Sequence, residues 1–307
     1  MKIWTQRFRQ RWQGNRNFEM AILIASDTRV LIQGATGKVG SFQTRIMRDY
    51  GTRIAAAVTP GKGGTRIHEV PVFDSVAEAV SEHEVDAAIS FVPARFAKDA
   101  ALEVINSGIG FLVLTAEGIP ELDILTILRS AALQGTNVLG PDTPGLISPG
   151  KCKLGVHPQT MFLEGHVGIV SKSGSLSYEV GRVLTQNGMG QSTVVGIGGG
   201  PIWGLSQEAV LQKFEEDPET TVVVLLGEVG GRLEHDAAKY IRHHMKKPVI
   251  ALIVGRTAPA GAQMGHAGAI IEGQEATASS KIKALENAGA VIARNSTEIP
   301  ELIKEME

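Results

Sequence analysis

The chain alternates between short apolar runs and longer amphipathic stretches, and this pattern restricts its possible folds more than any other feature. In the first half, β-branched and apolar runs predict strands at 28–33, 52–59, 87–92, 110–115 and from 138 onward. Helices are predicted between them. The first follows the glycine motif and ends at about residue 49, and the others lie at 76–83, 97–107 and 122–134. Strands that are separated by helices of this length form βαβ units, so the sequence predicts an α/β fold with a parallel sheet.

The alternation is interrupted at 140–150, where the chain contains three prolines and three glycines. It then resumes, with strands predicted at 167–171, 192–196, 221–226, 249–254 and 291–293 and helices at 175–186, 205–216, 234–245, 281–288 and 300–305. Proline and glycine at this density break regular elements, so we place a domain boundary there. The sequence therefore predicts two doubly wound domains, at 21–142 and 143–307.

Composition excludes several classes of protein. Hydrophobic residues make up 43% of the chain, which is not typical of a disordered protein, yet no run approaches 18 uncharged apolar residues. We therefore expect no membrane span. The single cysteine, Cys152, excludes an intramolecular disulfide and favours a reducing compartment, which we take to be the cytoplasm. No histidine spacing indicates a metal site, and a net charge of −2 argues against nucleic-acid binding.

The first twenty residues differ in charge from the rest of the chain. They carry five basic side chains and one acid, a net +4, which leaves about −6 for the other 287 residues. The segment lacks the apolar core of a secretory signal, and it lacks the serines of a transit peptide. We expect residues 1–20 to be a disordered extension, or the product of a start codon upstream of Met20.

Gly34, Gly37 and Gly40 lie at the first predicted strand-to-helix junction. Glycines there let the backbone approach a ligand closely, and the helix start favours a phosphate. A nicotinamide site would place an acid at the end of the second strand, but a glycine-rich loop with Lys62 stands there. A cation among exposed amides favours a phosphate-rich ligand, either NADP or coenzyme A. Residues 115–118 end the fourth strand at the same edge of the predicted sheet.

Three segments of the second domain suggest chemistry. Ser173, Gly174 and Ser175 stand at a strand-to-helix junction, where hydroxyls, amides and the helix dipole favour an anion. Glu228 follows an apolar strand and precedes two glycines, a place that packing explains poorly. His266 lies among small residues in a loop, and a neutral imidazole can act as a nucleophile. Together they predict a histidine that carries a phosphoryl group.

Seven motifs of the chain, taken in order, resemble one family. They stand at 33–37, 58–64, 117–120, 168–174, 195–199, 227–231 and 264–271. This set resembles the α subunits of succinyl-CoA synthetases (succinate–CoA ligases), which belong to the acyl-CoA ligases that form a nucleoside diphosphate. The resemblance extends from about residue 20 to residue 307.

The resemblance implies a Rossmann-like domain that binds coenzyme A, followed by a flavodoxin-like ligase domain. It implies an acid–thiol ligase that joins a short carboxylic acid to coenzyme A through a phosphohistidine and an acyl phosphate. ATP or GTP would bind with Mg²⁺ on a β subunit with an ATP-grasp domain, in an αβ or α2β2 complex. No nucleic acid or membrane takes part.

The resemblance also implies roles for individual residues. His266 would be phosphorylated and Glu228 would orient it. The residues that match the coenzyme A site are Thr36, Gly37, Lys38, Val39, Lys62, Thr115, Ala116 and Glu117. The residues that match the phosphate-binding helix start are Ser173, Gly174 and Ser175, and Tyr178 matches a residue near the carboxylate site at the subunit interface.

The chain departs from the family pattern at Asp142 and Thr143, where the family usually has asparagine and cysteine, and at Gly200, where it often has aspartate. We include Asp142 and Thr143 among the candidate substrate residues, because they stand where coenzyme A and the acid would meet. The departures leave the acid open between succinate, malate and other short carboxylic or sulfonated acids. Two further hypotheses remain at this point, an NADP-dependent oxidoreductase and a non-catalytic subunit that binds coenzyme A.

Overall fold

The computed structural model describes residues 22–259 and 263–306. The predicted basic extension at 1–20 lies outside these residues. Two seven-stranded sheets, one in each half of the chain, form the framework on which the helices pack. Within the described ranges, no helix combines the length and apolar character that crossing a bilayer requires.

The first sheet is formed by strands between residues 29 and 139. Its elements are β1 (Arg29–Gln33), α1 (Lys38–Asp49), β2 (Arg53–Val58), β3 (Arg66–Ile67), β4 (Val70–Phe73), α2 (Val76–Glu82), β5 (Ala87–Ser90), α3 (Ala94–Asn106), β6 (Phe111–Leu114), α4 (Glu121–Gln134) and β7 (Asn137–Leu139). The strand order is β3-β4-β2-β1-β5-β6-β7, and only the β3–β4 pair is antiparallel. The six parallel strands have the order of a Rossmann sheet, which confirms the predicted fold of this half.

The second sheet is formed by strands between residues 145 and 292. Its elements are β8 (Gly145–Ser148), β9 (Cys152–Gly155), β10 (Glu164–Ser171), α5 (Gly174–Gln186), β11 (Gln191–Gly196), α6 (Gln207–Glu216), β12 (Val222–Gly227), α7 (Leu233–His244), β13 (Val249–Ile253), α8 (Ala278–Asn287), β14 (Val291–Ile292) and α9 (Ile299–Met306). The strand order is β14-β13-β12-β10-β11-β8-β9, and the five strands from β10 to β14 are parallel. Their order is that of flavodoxin, so the prediction for this half is also confirmed.

Strand β12 shows why the sequence forms the second sheet. All six of its residues are buried. Val223 and Leu225 belong to the apolar cluster that includes residues of α6 and α7, whereas Val224 and Leu226 belong to the cluster that includes residues of α5 and α9. Because helices cover both faces of the sheet, a central strand needs an apolar side chain at every position, and the run at 222–226 supplies one.

The structure contains four strands that the sequence analysis did not predict, namely β3, β4, β8 and β9. Strand β8 begins inside the proline- and glycine-rich segment at 140–150, and it pairs antiparallel with both β9 and β11. Pro144 comes directly before β8, so no ladder hydrogen bond is lost to it. The segment therefore both connects the two halves and begins the antiparallel edge of the second sheet.

Side chains and backbone of the two halves contact each other near β9. The hydroxyl of Thr52 donates to the carbonyl oxygen of Lys153 at 2.7 Å, and the N–H of Lys153 donates back to the Thr52 hydroxyl at 3.1 Å. The hydroxyl of Tyr50 accepts a hydrogen bond from the N–H of Gly150 at 3.0 Å. These contacts hold the end of α1 against the first hairpin of the second domain.

Candidate active site

The loop after β13 carries His266, and the structure places its imidazole against Glu228, which directly follows β12. Nδ1 of His266 lies 2.8 Å from Oε2 and 3.0 Å from Oε1 of Glu228. Because the carboxylate accepts a hydrogen bond from Nδ1–H, the lone pair of the neutral ring is on Nε2. The His266 side chain is 32% exposed, so a reagent can reach the ring.

Glu228 is buried, and a second charge contacts it. Nζ of Lys172 lies 3.3 Å from Oε1 of Glu228, and both side chains are less than a tenth exposed. Burial raises the pKa of the Glu228 carboxyl, but the hydrogen bond from His266 and the charge of Lys172 outweigh burial and lower that pKa below its ordinary value. Glu228 is therefore a carboxylate at neutral pH.

The same contact raises the pKa of His266. The hydrogen bond with Glu228 has the largest effect, burial opposes it, and the negative charges of Glu228 and Asp142 add to it. Below this pKa the ring is an imidazolium without a free lone pair, and above it the ring is a nucleophile. The pair thus provides an imidazole that donates through Nδ1 and, when neutral, has its lone pair on Nε2.

Two side chains of the site, Lys172 and Trp203, received no role in the sequence analysis. The ammonium of Lys172 lies 5.4 Å from the centroid of the Trp203 ring. The indole N–H of Trp203 donates to the carbonyl oxygen of Gly198 at 3.1 Å. A lysine between serines directly after a buried strand was a usable signal for Lys172. No pattern indicated Trp203, because it lies in a loop whose path the sequence does not determine.

The predicted phosphate-binding residues lie at the start of α5, at the strand end next to that of Glu228. Strands β10 and β12 are parallel neighbours, so the residues that follow them lie at one edge of the sheet. Ser173 caps α5, since its hydroxyl accepts a hydrogen bond from the N–H of Leu176 at 3.4 Å. The hydroxyl of Ser175 is exposed and lies 3.2 Å from that of Ser173. The first N–H groups of a helix lack intrahelical acceptors, so this turn favours an anion.

The glycine-rich turn after β11 packs directly on the imidazole. A Cβ atom on Gly199 would lie 2.5 Å from Cγ and 2.9 Å from Nδ1 of His266. The carbonyl oxygen of Gly199 accepts a hydrogen bond from the N–H of Gly268 at 3.0 Å. Because Gly199 has no side chain, the ring can lie against its backbone and still reach Glu228.

The junction residues Asp142 and Thr143 have different environments. Asp142 has a φ of +57° and is partly exposed. Burial and the nearby charge of Glu117 raise the pKa of its carboxyl. Thr143 is buried, and its hydroxyl donates to the carbonyl oxygen of Gly196 at 2.5 Å and accepts from the N–H of Gly145 at 2.8 Å. The carboxyl of Asp142 is thus influenced by charges from both halves of the chain, namely Glu117 and His266. The hydroxyl of Thr143, in contrast, is hydrogen-bonded to backbone groups.

The residues predicted to bind coenzyme A lie at the carboxyl edge of the first sheet. Gly37 precedes α1 and offers no side-chain cap, and Lys38 and Val39 next to it are exposed. The ends of β1 and β2 meet there, since the N–H of Gly34 donates to the carbonyl oxygen of Val58 at 2.9 Å. The remaining residues of the set are Thr36, Lys62, Thr115, Ala116 and Glu117, which are partly or fully exposed.

This edge has the features of a phosphate site. A Cβ atom on Gly40 would lie 2.1 Å from the carbonyl oxygen of Gly34, so the tight turn before α1 requires glycine at that position. The free N–H groups at the start of α1 and the ammonium groups of Lys38 and Lys62 suit a phosphate-rich ligand. The anion site that the sequence predicts at this edge stays a prediction.

Tyr178, which was predicted to lie near the acid, is in the second turn of α5. Its ring packs edge-on against the rings of His157 and Phe162, with centroid distances of 5.4 Å and 6.4 Å. Its hydroxyl is directed toward the helix start, where it would lie 3.3 Å from a Cβ atom on Gly174. Burial raises the pKa of the Tyr178 phenol to about 12, so the group is a neutral donor.

Known proteins share both halves of the chain and their order. The CoA binding domain family matches residues 25–118, and the CoA-ligase family matches residues 170–291. The "Succinate--CoA ligase [ADP-forming] subunit alpha" of Methanothermobacter thermautotrophicus is 54% identical, over 92% of this chain and 96% of the relative. The "subunit alpha 2" of the same enzyme from Archaeoglobus fulgidus is 52% identical, over 94% and 100%. The chain belongs to the family of succinate–CoA ligase α subunits.

This membership confirms several predictions. A succinate–CoA ligase α subunit is part of an acid–thiol ligase that forms a nucleoside diphosphate, and as a subunit it has a β partner. Coenzyme A, rather than NADP, is the ligand of the first domain. A third relative, the α subunit from Aquifex aeolicus, is 47% identical over 92% of this chain and 94% of the relative.

Solved structures show the same architecture inside longer chains. "Methanosaeta concilii ATP citrate lyase (D541A mutant) in complex with (3S)-citryl-CoA" matches with a TM-score of 0.83 and 25% identity. The match covers 92% of this chain and 50% of the lyase chain, so this chain spans about half the length of that protein. The two-domain arrangement of the α subunit therefore also occurs as one part of a larger polypeptide.

Proposed function

We propose that the chain is the α subunit of an ADP-forming succinate–CoA ligase in which His266 carries the phosphoryl group. The observation that carries this proposal is the contact between Nδ1 of His266 and the buried carboxylate of Glu228. This contact fixes the tautomer with the lone pair on Nε2, and it also stabilises the positive charge that the ring acquires as Nε2 attacks.

In the first step, Nε2 of His266 attacks the γ-phosphorus of ATP that is bound on the β subunit. The N–P bond forms, the bond to the bridging oxygen breaks, and ADP leaves. The phosphoryl group carries about two negative charges, and the start of α5 offers amide groups and the hydroxyls of Ser173 and Ser175 to such an anion. Lys172 adds a positive charge next to the carboxylate of Glu228.

In the second step, a carboxylate oxygen of the acid attacks the phosphorus on Nε2. The O–P bond forms, the N–P bond breaks, and the acyl phosphate leaves His266 with its lone pair restored. A free carboxylate is a poor acyl donor, whereas an acyl phosphate has phosphate as a leaving group. Tyr178, Asp142 and Thr143 are the residues of this chain that we assign to the surroundings of the acid.

In the third step, the sulfur of coenzyme A attacks the acyl carbon. The C–S bond forms, the C–O bond to phosphate breaks, and the thiol proton leaves with the phosphate. We assign the phosphates of coenzyme A to the start of α1 and to Lys38 and Lys62, whose amides and ammonium groups suit them. The residues after β6, at 115–117, contact the domain junction, since the N–H of Asp142 donates to the carbonyl oxygen of Ala116 at 3.1 Å. The charge of Glu117 also raises the pKa of the Asp142 carboxyl.

The nucleotide site belongs to the partner in this proposal. Among the residues that the structure describes, no group of three or more His, Cys, Asp and Glu side chains could hold a metal ion. We propose a β subunit with an ATP-grasp domain that binds ATP or GTP with Mg²⁺, in a cytoplasmic αβ or α2β2 complex. ATP is the first choice, because the relatives with 52% and 54% identity carry the ADP-forming name.

The proposal is tested by an acid panel on the purified complex with its β subunit. We expect succinate with ATP to consume coenzyme A and release ADP and phosphate in equal amounts. If the complex uses malate or a sulfonated acid instead, succinate is not the substrate, but the proposed type of reaction still holds. A phosphorylated His266 with no thioester from any acid would favour the non-catalytic subunit. No phosphorylation at all would overturn the mechanism.

Gly199 provides a prediction about geometry. We expect Gly199→Ala to slow phosphorylation of His266 by about 100-fold, because the new methyl group must push the imidazole away from Glu228. The measurement is transfer of label from γ-labelled ATP in the complex. Gly200→Ala is the matched control, because the nearest atom to its Cβ would be 3.9 Å away, and it should keep the wild-type rate. Equal rates in both variants would contradict the role of the turn.

A further inference from the structure

An ion pair with no exposed surface lies behind the active site. Lys281, in the first turns of α8, and Glu234, in the first turn of α7, both have side chains that are 0% exposed. Their ammonium and carboxylate groups contact each other. Neither side chain contacts a substrate in the proposed mechanism, and burying two charges is costly unless their remaining hydrogen bonds are satisfied. The hydrogen-bond partners of the two groups therefore indicate the role of the ion pair.

The pair is bonded to the backbone of the turn that carries Glu228. Nζ of Lys281 donates to the carbonyl oxygen of Glu228 at 2.8 Å and also to that of Gly230. Oε1 of Glu234 accepts a hydrogen bond from the N–H of Glu228 at 3.2 Å. Both backbone polar groups of Glu228 are therefore held by one ion pair. An ammonium has three N–H donors, and the three contacts of Lys281 use all of them.

The same turn contacts the loop of His266. A Cβ atom on Gly230 would lie 2.1 Å from the carbonyl oxygen of Gly268, so the two backbones touch. The N–H of Gly230 also donates to the carbonyl oxygen of Ala276 at 2.8 Å, just before α8. A displacement of the Glu228 turn would consequently change both the carboxylate and the backbone against which the His266 loop rests.

We propose that Lys281 and Glu234, together the backbone clamp, are positioning residues that hold the Glu228 carboxylate where it meets Nδ1 of His266. The clamp acts through Glu228 and touches no reacting atom. Its catalytic consequence rests on the proposed role of His266 as the phosphoryl carrier. Its structural consequence, a fixed carboxylate against the imidazole, does not depend on that role.

The test removes both charges together. In the Glu234→Leu/Lys281→Met double variant no buried charge is left unpaired, and the volumes are similar, so we expect the chain to fold. Glu234→Asp is the second variant, because it keeps the charge but draws the carboxylate back by one methylene from the N–H of Glu228. The matched control is Asp236→Asn/Lys239→Met, which removes an exposed ion pair from the same helix.

The first readout is the titration of His266 in the full chain. The chain is labelled with ¹³C at the histidine Cε1 position, and the His266 signal is assigned by its absence in His266→Asn. We expect the pKa of His266 to fall toward its ordinary value in the double variant, to fall partway in Glu234→Asp, and to stay unchanged in the control. Wild-type titration in the double variant and in Glu234→Asp would overturn the proposal. This readout needs no phosphorylation, so it separates the clamp from the proposed function.

The second readout is the phosphorylation of His266 by ATP in the complex with the β subunit. We expect kcat to fall about tenfold to 100-fold in the double variant and the KM for ATP to stay unchanged, because the nucleotide site lies elsewhere. The acid limb of the pH profile should move to lower pH together with the His266 pKa. An unchanged kcat and pH profile would overturn the catalytic part of the proposal.

Discussion

Replacing His266 with asparagine should abolish both phosphorylation and ligation. Asparagine keeps a polar group next to Glu228 but has no nucleophilic ring nitrogen, so the phosphoryl group has no acceptor. We expect the rate of thioester formation to fall by about 10⁴-fold or more, as it does when a covalent nucleophile is removed. The measurements are the acid-labile label from γ-labelled ATP and the consumption of coenzyme A, both in the complex with the β subunit.

The matched control for this variant is His243→Asn, which changes an exposed histidine of α7. It should keep full labelling and full ligase activity. The His266→Asn chain should still bind coenzyme A, because that site is in the first domain. Label that persists in His266→Asn would mean that another group accepts the phosphoryl group, and the mechanism would be wrong.

Glu228→Gln should have the second-largest effect. The amide keeps the shape of the side chain but not its charge, so it stabilises the developing imidazolium less well. We expect phosphorylation to slow by roughly 100- to 1,000-fold. Because Glu228 raises the pKa of His266, the neutral ring persists to lower pH in the variant. The acid limb of its pH–rate profile should therefore move to lower pH while the plateau falls.

A measurement of stability separates the loss of phosphorylation rate from a loss of folding. Glu228→Gln leaves the buried ammonium of Lys172 without its carboxylate, which should cost about 3 kcal/mol in the free energy of unfolding. The Glu228→Gln/Lys172→Met variant should recover most of that stability and none of the rate. An exposed acid, Glu275, supplies the control substitution to glutamine. Full activity of the recovered double variant would show that Glu228 acts only through stability.

The sequence predicted the parts of the site that follow from strand ends. Glu228 and Ser173 each come within three residues of the end of an apolar run, and parallel neighbours place such residues at one edge of a sheet. His266 stood out because it lies among small residues after another buried run. Gly37 and Lys62 stood out because each lies in a glycine-rich segment after a predicted strand of the first sheet. These predictions needed only the two-residue period of strands, the 3.6-residue period of helices and one rule. The rule is that ligands of an open parallel sheet bind at the carboxyl ends of its strands.

The backbone clamp could not be predicted in this way. Glu234 and Lys281 lie 47 residues apart and look like ordinary charges on amphipathic helices, which are usually exposed. Their burial depends on how α7 and α8 pack against each other and on the turn after β12, and no local pattern encodes that packing. The strands β8 and β9 were missed for a related reason, because edge pairing can overcome the proline and glycine content of 140–150.

The charges of Glu117, Asp142 and His266 form a chain between the two domains, and thermodynamic linkage gives it a consequence. Asp142 raises the pKa of His266, and Glu117 raises the pKa of Asp142. A ligand that binds in the first domain and changes the proton affinity of Asp142 changes that of His266. By reciprocity, protonation of His266 then changes the affinity of the first domain for that ligand by the same factor. The protonation states of a carboxylate at the domain junction and of the imidazole in the second domain are thus coupled to what binds in the first domain.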